Sequence, residues 1–156
     1  MSVYGIPISQ SFGTLEKYQG GFILVVNIAD QCGFSPQLKD LELLHAHPNN
    51  LCQVMAFPSD QFNQQSKDDA QMQSWCQVQK LSFFVSPVVS VNGEFTHPLF
   101  AYLKKEAKGW FGQERIMWNY TKFLIYPNEE RIIRFAPMTK IDTIIDKIEK
   151  KMNGVP

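Results

Sequence analysis

Apolar runs and helical patterns alternate along the first third of this chain. Residues 21–29 form a continuous aliphatic run, which is typical of a strand covered on both faces. Leucines at helical spacing then predict a helix over 36–46, and a second apolar run over 51–57 predicts another strand. Strand, helix and strand in this order predict two parallel strands joined by a right-handed crossover.

The remaining pattern is mixed helix and strand. A polar stretch over 66–79 lacks Gly and Pro and predicts a helix, and 88–91 predicts a short strand. Thr96 is the expected N-cap of a helix that runs to Ala107. Two alternating segments, 119–126 and 130–135, flank a Pro-Asn-Glu turn and predict a hairpin.

The last helical pattern completes the fold prediction. Isoleucines between positions 141 and 148 are spaced for a closing helix. The element order predicts an α/β protein with a mixed sheet of four strands and helices on both faces. The length, without repeat or linker, predicts one domain over 1–156.

Composition and charge exclude several classes of function. Lys+Arg and Asp+Glu each number 15, so the sequence has no nucleic-acid footprint. Residues 1–10 lack the basic and apolar regions of a signal peptide. The longest apolar run is far shorter than the ~20 residues that cross a bilayer. We therefore expect a cytoplasmic protein with no nucleic-acid partner and no stable membrane insertion.

Cys32 is the main candidate for chemistry. It follows the first predicted strand and lies in a tight turn, Gly33 to Pro36, where the next helix begins. Unpaired backbone N–H groups and the helix dipole favour negative charge there. The thiolate is the nucleophilic form of cysteine, so this position favours a reactive thiol. Position alone leaves open the alternative of a buried, inert cysteine.

The other cysteines show no metal-binding or CxxC spacing. Cys52 lies inside the second predicted strand and is expected to be an inert core thiol. Cys76 lies on the predicted helix over 66–79. The three histidines also lack metal-ligand spacing, so we expect neither a metal nor a cofactor.

Four blocks of sequence occur in an order that points to a known family. They are VNIADQCGFSPQ (26–37), AFPSDQFNQQ (56–65), VNGEFTHPLFAYL (91–103), and WNYTKFL (118–124) with RFAP (134–137). Together they resemble the glutathione peroxidase family, a branch of the thioredoxin-fold proteins. The resemblance implies a thioredoxin-like fold and a thiol peroxidase acting on hydrogen peroxide and organic, including lipid, hydroperoxides.

The resemblance also implies a catalytic tetrad: Cys32, Gln65, Trp118 and Asn119. The last three carry side-chain N–H groups, which stabilise a thiolate and polarise a departing peroxide oxygen. Taken singly, they could be a solvated loop residue, a rim aromatic and a turn residue. Their assignment therefore depends on their joint placement in matching blocks.

Some members of the family carry a resolving cysteine after the second block, and the resemblance places Cys76 in that role. Cys32 would become a sulfenic acid, Cys76 would condense with it, and thioredoxin would reduce the disulfide. A disulfide needs Cα atoms within about 7 Å, so the Cys76 helix is expected to unwind locally. The alternative is a structural thiol. No arginine cluster marks a glutathione site, which favours thioredoxin as reductant over glutathione.

The chain departs from the family pattern near the expected site. Asp30 and Asp60 stand where the family commonly has Ser or Ala, and Asn. Carboxylates beside Cys32 would raise its pKa and slow its attack on peroxide, unless they point to solvent. Ser66 follows Gln65 where the family usually has Glu-Pro, which puts the local geometry in question.

The sequence also bears on the oligomeric state, and it leaves two alternatives to the peroxidase function. The chain lacks the long insertion between the third and fourth blocks that accompanies tetramers, so we expect a monomer. One alternative function is a redox sensor or relay that passes its disulfide to a partner protein. Another is a thioredoxin-fold binding module whose thiol is catalytically silent.

Overall fold

One mixed sheet organises the computed structural model, which describes residues 1–154. The five strands are β1 (Phe22–Ile28), β2 (Cys52–Pro58), β3 (Phe84–Val85), β4 (Lys122–Ile125) and β5 (Ile132–Phe135). Their order in the sheet is β3-β2-β1-β4-β5. The strands β1, β2 and β3 run parallel, whereas β4 is antiparallel to both β1 and β5. The last two residues of the predicted domain, 155 and 156, lie outside the described residues.

Within residues 1–154, four α-helices connect and flank these strands. They are α1 (Gln37–His45), α2 (Asp69–Val78), α3 (Pro98–Glu106) and α4 (Ile141–Met152). The helix α2 begins with a capping box, in which Asp68 and Gln71 each accept a hydrogen bond from the other's backbone N–H. No helix within residues 1–154 is long and apolar enough to cross a membrane.

The sheet divides the core into two apolar layers. Successive side chains of β1 point to opposite faces, and all seven of its positions are buried. Buried residues of α1, α2 and α4 pack on one face, and those of α3 and the N-terminal segment pack on the other. The predicted mixed sheet with helices on both faces is thus confirmed.

The structure corrects three predictions. The sheet has five strands rather than four, and the strand expected over 88–91 is wrong because β3 lies at Phe84–Val85. In the 88–91 segment, Val88 N–H instead donates to the Asp69 carboxylate at 2.8 Å. The N-cap of α3 is His97 rather than Thr96, since the His97 side chain accepts the Leu99 N–H at 3.1 Å.

Candidate active site

Three chain segments meet at one edge of the sheet. The carboxyl ends of β1 and β2 lie side by side, with Ile28 paired to Pro58. Because β4 is antiparallel to β1, its first residue, Lys122, pairs with Val26 near the same edge. The segments 29–36, 59–67 and 118–121 are therefore brought together where parallel strands end, the usual place for a site in such sheets.

Cys32 occupies the turn that follows β1. The turn is closed by Ser35, whose N–H and hydroxyl donate to the Cys32 carbonyl at 3.0 and 2.6 Å. Phe34 N–H points at Cys32 Sγ from 3.5 Å, and α1 begins at Gln37. The thiol is free and only 5% exposed. A backbone N–H donor therefore faces the sulfur in the turn that leads into α1.

Gln65 lies in the loop after β2 and is held against the Cys32 turn. Its Oε1 accepts the Asp30 N–H at 2.9 Å, and its Nε2 donates to the Lys67 carbonyl at 3.0 Å. An amide nitrogen carries two hydrogens, so one remains free to donate to another group. The loop is further fixed by Gln31 N–H, which donates to the Gln64 carbonyl at 2.8 Å.

Trp118 and Asn119 lie in the segment that precedes β4. The Trp118 carbonyl accepts from Asn27 Nδ2 at 3.2 Å and from the Thr121 hydroxyl at 2.9 Å, which fixes the segment to β1. Trp118 as a whole is 37% exposed, and its ring lies 5.7 Å from the Phe62 ring, centroid to centroid. Trp118 therefore offers its ring to solvent at this edge of the sheet.

Asn119 is fully buried beside it. Neither its Oδ1 nor its Nδ2 has a hydrogen-bond partner among the described residues. Unpaired buried amide groups are costly, and such exceptions often mark a place where a polar ligand binds.

The carboxylate of Asp30 does not point to solvent. Its side chain has no exposed surface, and it forms an ion pair with Lys67 at 2.8 Å. Burial would raise the pKa of Asp30, but hydrogen bonds from Lys67, Ser66 and Gln31 together lower it well below its ordinary value. The negative charge is thus compensated within the site, whereas Asp60 is exposed.

Cys76 lies on α2, on the same side of the sheet as Cys32. Both thiols belong to one cluster of buried residues, and both are free. Burial raises the pKa of Cys76. Tyr120 is also fully buried, and burial raises its pKa.

Cys52 lies away from these groups. It begins β2, at the end of the strand opposite to the loop that carries Gln65. It is buried, and burial raises its pKa strongly, which disfavours the reactive thiolate. Within residues 1–154, no three His, Cys, Asp or Glu side chains form a group that could hold a metal ion.

An apolar groove of about 450 Å³ runs beside Trp118. Its walls include Trp110, Met117 and Met138, all of which are more than half exposed. Arg134 also lines the groove, but its guanidinium donates to the backbone carbonyls of residues 113–115 at 2.8 to 3.3 Å. The exposed apolar side chains of the groove are therefore suited to contact an apolar group.

Sequence reasoning missed several residues that build this site. Tyr120 was only part of a matching block, and its left-handed backbone (φ 64°) has no sequence signal. The pairing of Asp30 with Lys67 joins positions 37 apart and also has no local signature. Asn27 could have been found, because an amide inside an otherwise apolar strand run is unusual.

Comparison with known proteins identifies the family. The family model described as Glutathione peroxidase matches residues 3–104. The chain is 36% identical over 156 residues to "Glutathione peroxidase homolog BsaA" of Bacillus subtilis (strain 168), covering 96% of this chain and 98% of the relative. It is 32% identical over 160 residues to "Hydroperoxy fatty acid reductase gpx1" of Synechocystis sp., covering 96% and 95%.

Solved structures agree with this result. The structure titled "Crystal structure of Trgpx in apo form" superposes with a TM-score of 0.73 at 34% identity, covering 96% of this chain and 94% of the other. A putative thioredoxin from Neisseria meningitidis superposes with a TM-score of 0.59 at 13% identity, covering 90% and 80%, and shows the fold alone. The predicted thioredoxin-like fold is confirmed. The chain therefore belongs to the glutathione peroxidase family, and it is a peroxidase of that family.

Proposed function

We propose that this peroxidase uses Cys32 as its peroxide-reactive thiol and Cys76 as its resolving thiol, with thioredoxin as reductant. The observation that carries the proposal is the convergence at one sheet edge of the Cys32 turn, the Gln65 loop and the 118–121 segment. No other thiol among residues 1–154 lies in a turn that leads into a helix and has a backbone N–H that donates to its sulfur.

The first step is a nucleophilic displacement. The Cys32 thiolate attacks one oxygen of ROOH, the O–O bond breaks, and the departing RO⁻ takes a proton to leave as ROH. Cys32 is oxidised to a sulfenic acid. Phe34 N–H stabilises the thiolate, while the amides of Gln65 and Asn119 supply donors for the departing oxygen.

The second step forms a disulfide. The Cys76 sulfur attacks the sulfur of Cys32–SOH, water leaves, and a dithiol of thioredoxin then reduces the disulfide by exchange. Both sulfurs lie in the same cluster of buried residues. Local opening of α2 would bring them together, and the same opening would remove the burial that raises the pKa of Cys76.

The groove beside Trp118 supports bulky, apolar hydroperoxides as substrates. Its walls are mostly apolar and open to solvent, so an acyl chain could lie along them with its peroxide group toward the sheet edge. The name of the Synechocystis relative, a hydroperoxy fatty acid reductase, agrees with that choice. Among the residues that line this groove within the described part of the chain, Arg134 is a single arginine and not a cluster, which supports thioredoxin over glutathione as reductant.

The test is disulfide mapping on reduced protein treated with one equivalent of hydrogen peroxide. We expect a rapid Cys32–Cys76 disulfide in the wild type and in Cys52→Ser, the matched control. Cys76→Ser should instead stop at the sulfenic acid and lose NADPH consumption with thioredoxin and its reductase. Full turnover of Cys76→Ser with thioredoxin would refute the resolving role, and no thiol loss in the wild type would refute the use of Cys32.

A further inference from the structure

Asp30 joins the Cys32 turn to the loop 65–67 through hydrogen bonds and an ion pair. Its carboxylate accepts the Ser66 N–H at 2.7 Å, the Ser66 hydroxyl at 2.6 Å and the Lys67 ammonium at 2.8 Å. Gln31 Nε2 adds a further donor at 3.1 Å. A buried carboxylate with this many donors is held in one position, because losing a contact would leave part of its charge without a hydrogen-bond donor.

The main chain of Asp30 fixes Gln65 as well. Asp30 N–H donates to Gln65 Oε1 at 2.9 Å, while the carboxylate holds the next two residues of the same loop. Gln65 Nε2 in turn donates to the Lys67 carbonyl at 3.0 Å, so these contacts form a closed network. The orientation of the Gln65 amide therefore depends on Asp30 from both sides.

The network continues into α2. Lys67 directly precedes Asp68, the N-cap of α2, and its ammonium lies 5.7 Å from the centroid of the Trp75 ring. Trp75 is the neighbour of Cys76 along the helix. Lys67 thus connects the turn of one thiol to the helix that carries the other, through an ion pair at one end and a cation–π contact at the other.

We propose that Asp30 is a positioning residue: through Ser66 and Lys67 it orients Gln65 for the peroxide step and restrains α2 against opening for the disulfide step. The second half of this proposal depends on the proposed resolving role of Cys76. The carboxylate contacts neither sulfur, so it acts on both steps through the loop 65–67.

The test separates the two steps in Asp30→Asn. This variant keeps the shape of the side chain but removes the ion pair with Lys67. We expect the second-order rate constant for Cys32 oxidation to fall by about tenfold, because a displaced Gln65 amide donates poorly. We expect the first-order rate constant for disulfide formation to rise several-fold, because α2 opens more readily. Asp60→Asn is the matched control, since Asp60 is exposed, and both of its rate constants should equal those of the wild type.

The proposal predicts that Cys32 oxidation slows while disulfide formation becomes faster. A general loss of structure would not change the two rate constants in opposite directions. Equal slowing of both steps, or no change in either, would overturn the proposal. Where Asp30→Asn fails to fold, Ser66→Ala removes the 2.6 Å contact and keeps the ion pair with Lys67. In this variant the rate constant for Cys32 oxidation should fall, while that for disulfide formation should stay at the wild-type value. An unchanged rate constant for Cys32 oxidation would overturn the proposal.

Failure of the proposed resolving role can be distinguished from failure of the positioning role of Asp30. If the wild type forms no Cys32–Cys76 disulfide, the resolving role fails and the restraint on α2 fails with it. The Gln65 half is then decided by a double-mutant cycle on Cys32 oxidation. Non-additive effects of Asp30→Asn and Gln65→Ala support the positioning role, and additive effects refute it.

Discussion

Lys122 should make the stability of this protein depend on pH in a defined direction. It is fully buried at the start of β4, and its ammonium donates to the carbonyls of Ala136, Pro137 and Thr139 at 3.4, 2.8 and 3.0 Å. Burial lowers the pKa of Lys122 from 10.5 to about 8. Between those two values the unfolded chain binds the proton and the folded chain does not.

The free energy of unfolding contributed by Lys122 must therefore rise with pH over that interval. A full unit of pH in which only the unfolded state is protonated adds about 1.4 kcal/mol. The contribution should grow by about 2 kcal/mol between about pH 8 and about pH 10. The three carbonyl acceptors favour the ammonium, so this is an upper value.

The assay is urea unfolding of the wild type and Lys122→Met under reducing conditions at several pH values. Buried thiols and tyrosines also titrate in alkaline solution, but they do so in both proteins and cancel in the difference. We expect the stability of the wild type relative to Lys122→Met to increase with pH. A difference that stays constant, or that decreases with pH, would refute the assignment of a depressed pKa to Lys122.

Other predictions concern the proposed site and its helix. Cys32→Ser should abolish peroxide consumption, whereas Cys52→Ser should retain it; activity that survives in Cys32→Ser would require another thiol. Asn119→Ala should lower the rate constant of Cys32 oxidation about a hundredfold, with an unchanged far-UV spectrum, because it removes a buried donor from the site. An unchanged rate constant would remove Asn119 from the tetrad. Asp68→Ala should destabilise the protein by about 1 kcal/mol through loss of the capping box of α2, and thermal unfolding would measure this.

The sequence predicted the parts of the fold that depend on local pattern. The apolar runs of β1 and β2 and the leucines of α1 define a βαβ unit without tertiary information. Parallel pairing then places the ends of β1 and β2 at one edge, so the approach of Gln65 to the Cys32 turn follows from topology. The strand β3 could not be predicted, because two residues are too few to show the alternation of polar and apolar positions typical of a strand. Its position depends instead on pairing with β2.

The electrostatics of the site could not be predicted from the sequence. From the sequence, the carboxylate of Asp30 is expected to raise the pKa of Cys32 unless it points to solvent, and neither case includes a compensating partner. Compensation of the Asp30 charge comes from Lys67 and Ser66, which only the packing of the loop against the turn brings near. Two departures from the family pattern, Asp30 and Ser66, thus contact each other in the folded protein.

The order of the strands has a consequence for how activity is acquired during folding. Cys32 and Gln65 lie within the first 65 residues and come together with the βαβ unit, whereas Trp118 and Asn119 require β4 to pair with β1 across about a hundred positions. Pairing between distant segments forms late and slowly. A partly folded chain would therefore carry the Cys32 turn and Gln65 without Trp118 and Asn119. Full reactivity with peroxide should therefore appear only after β4 has paired with β1. The rate of Cys32 oxidation during refolding would then measure how far the sheet has formed.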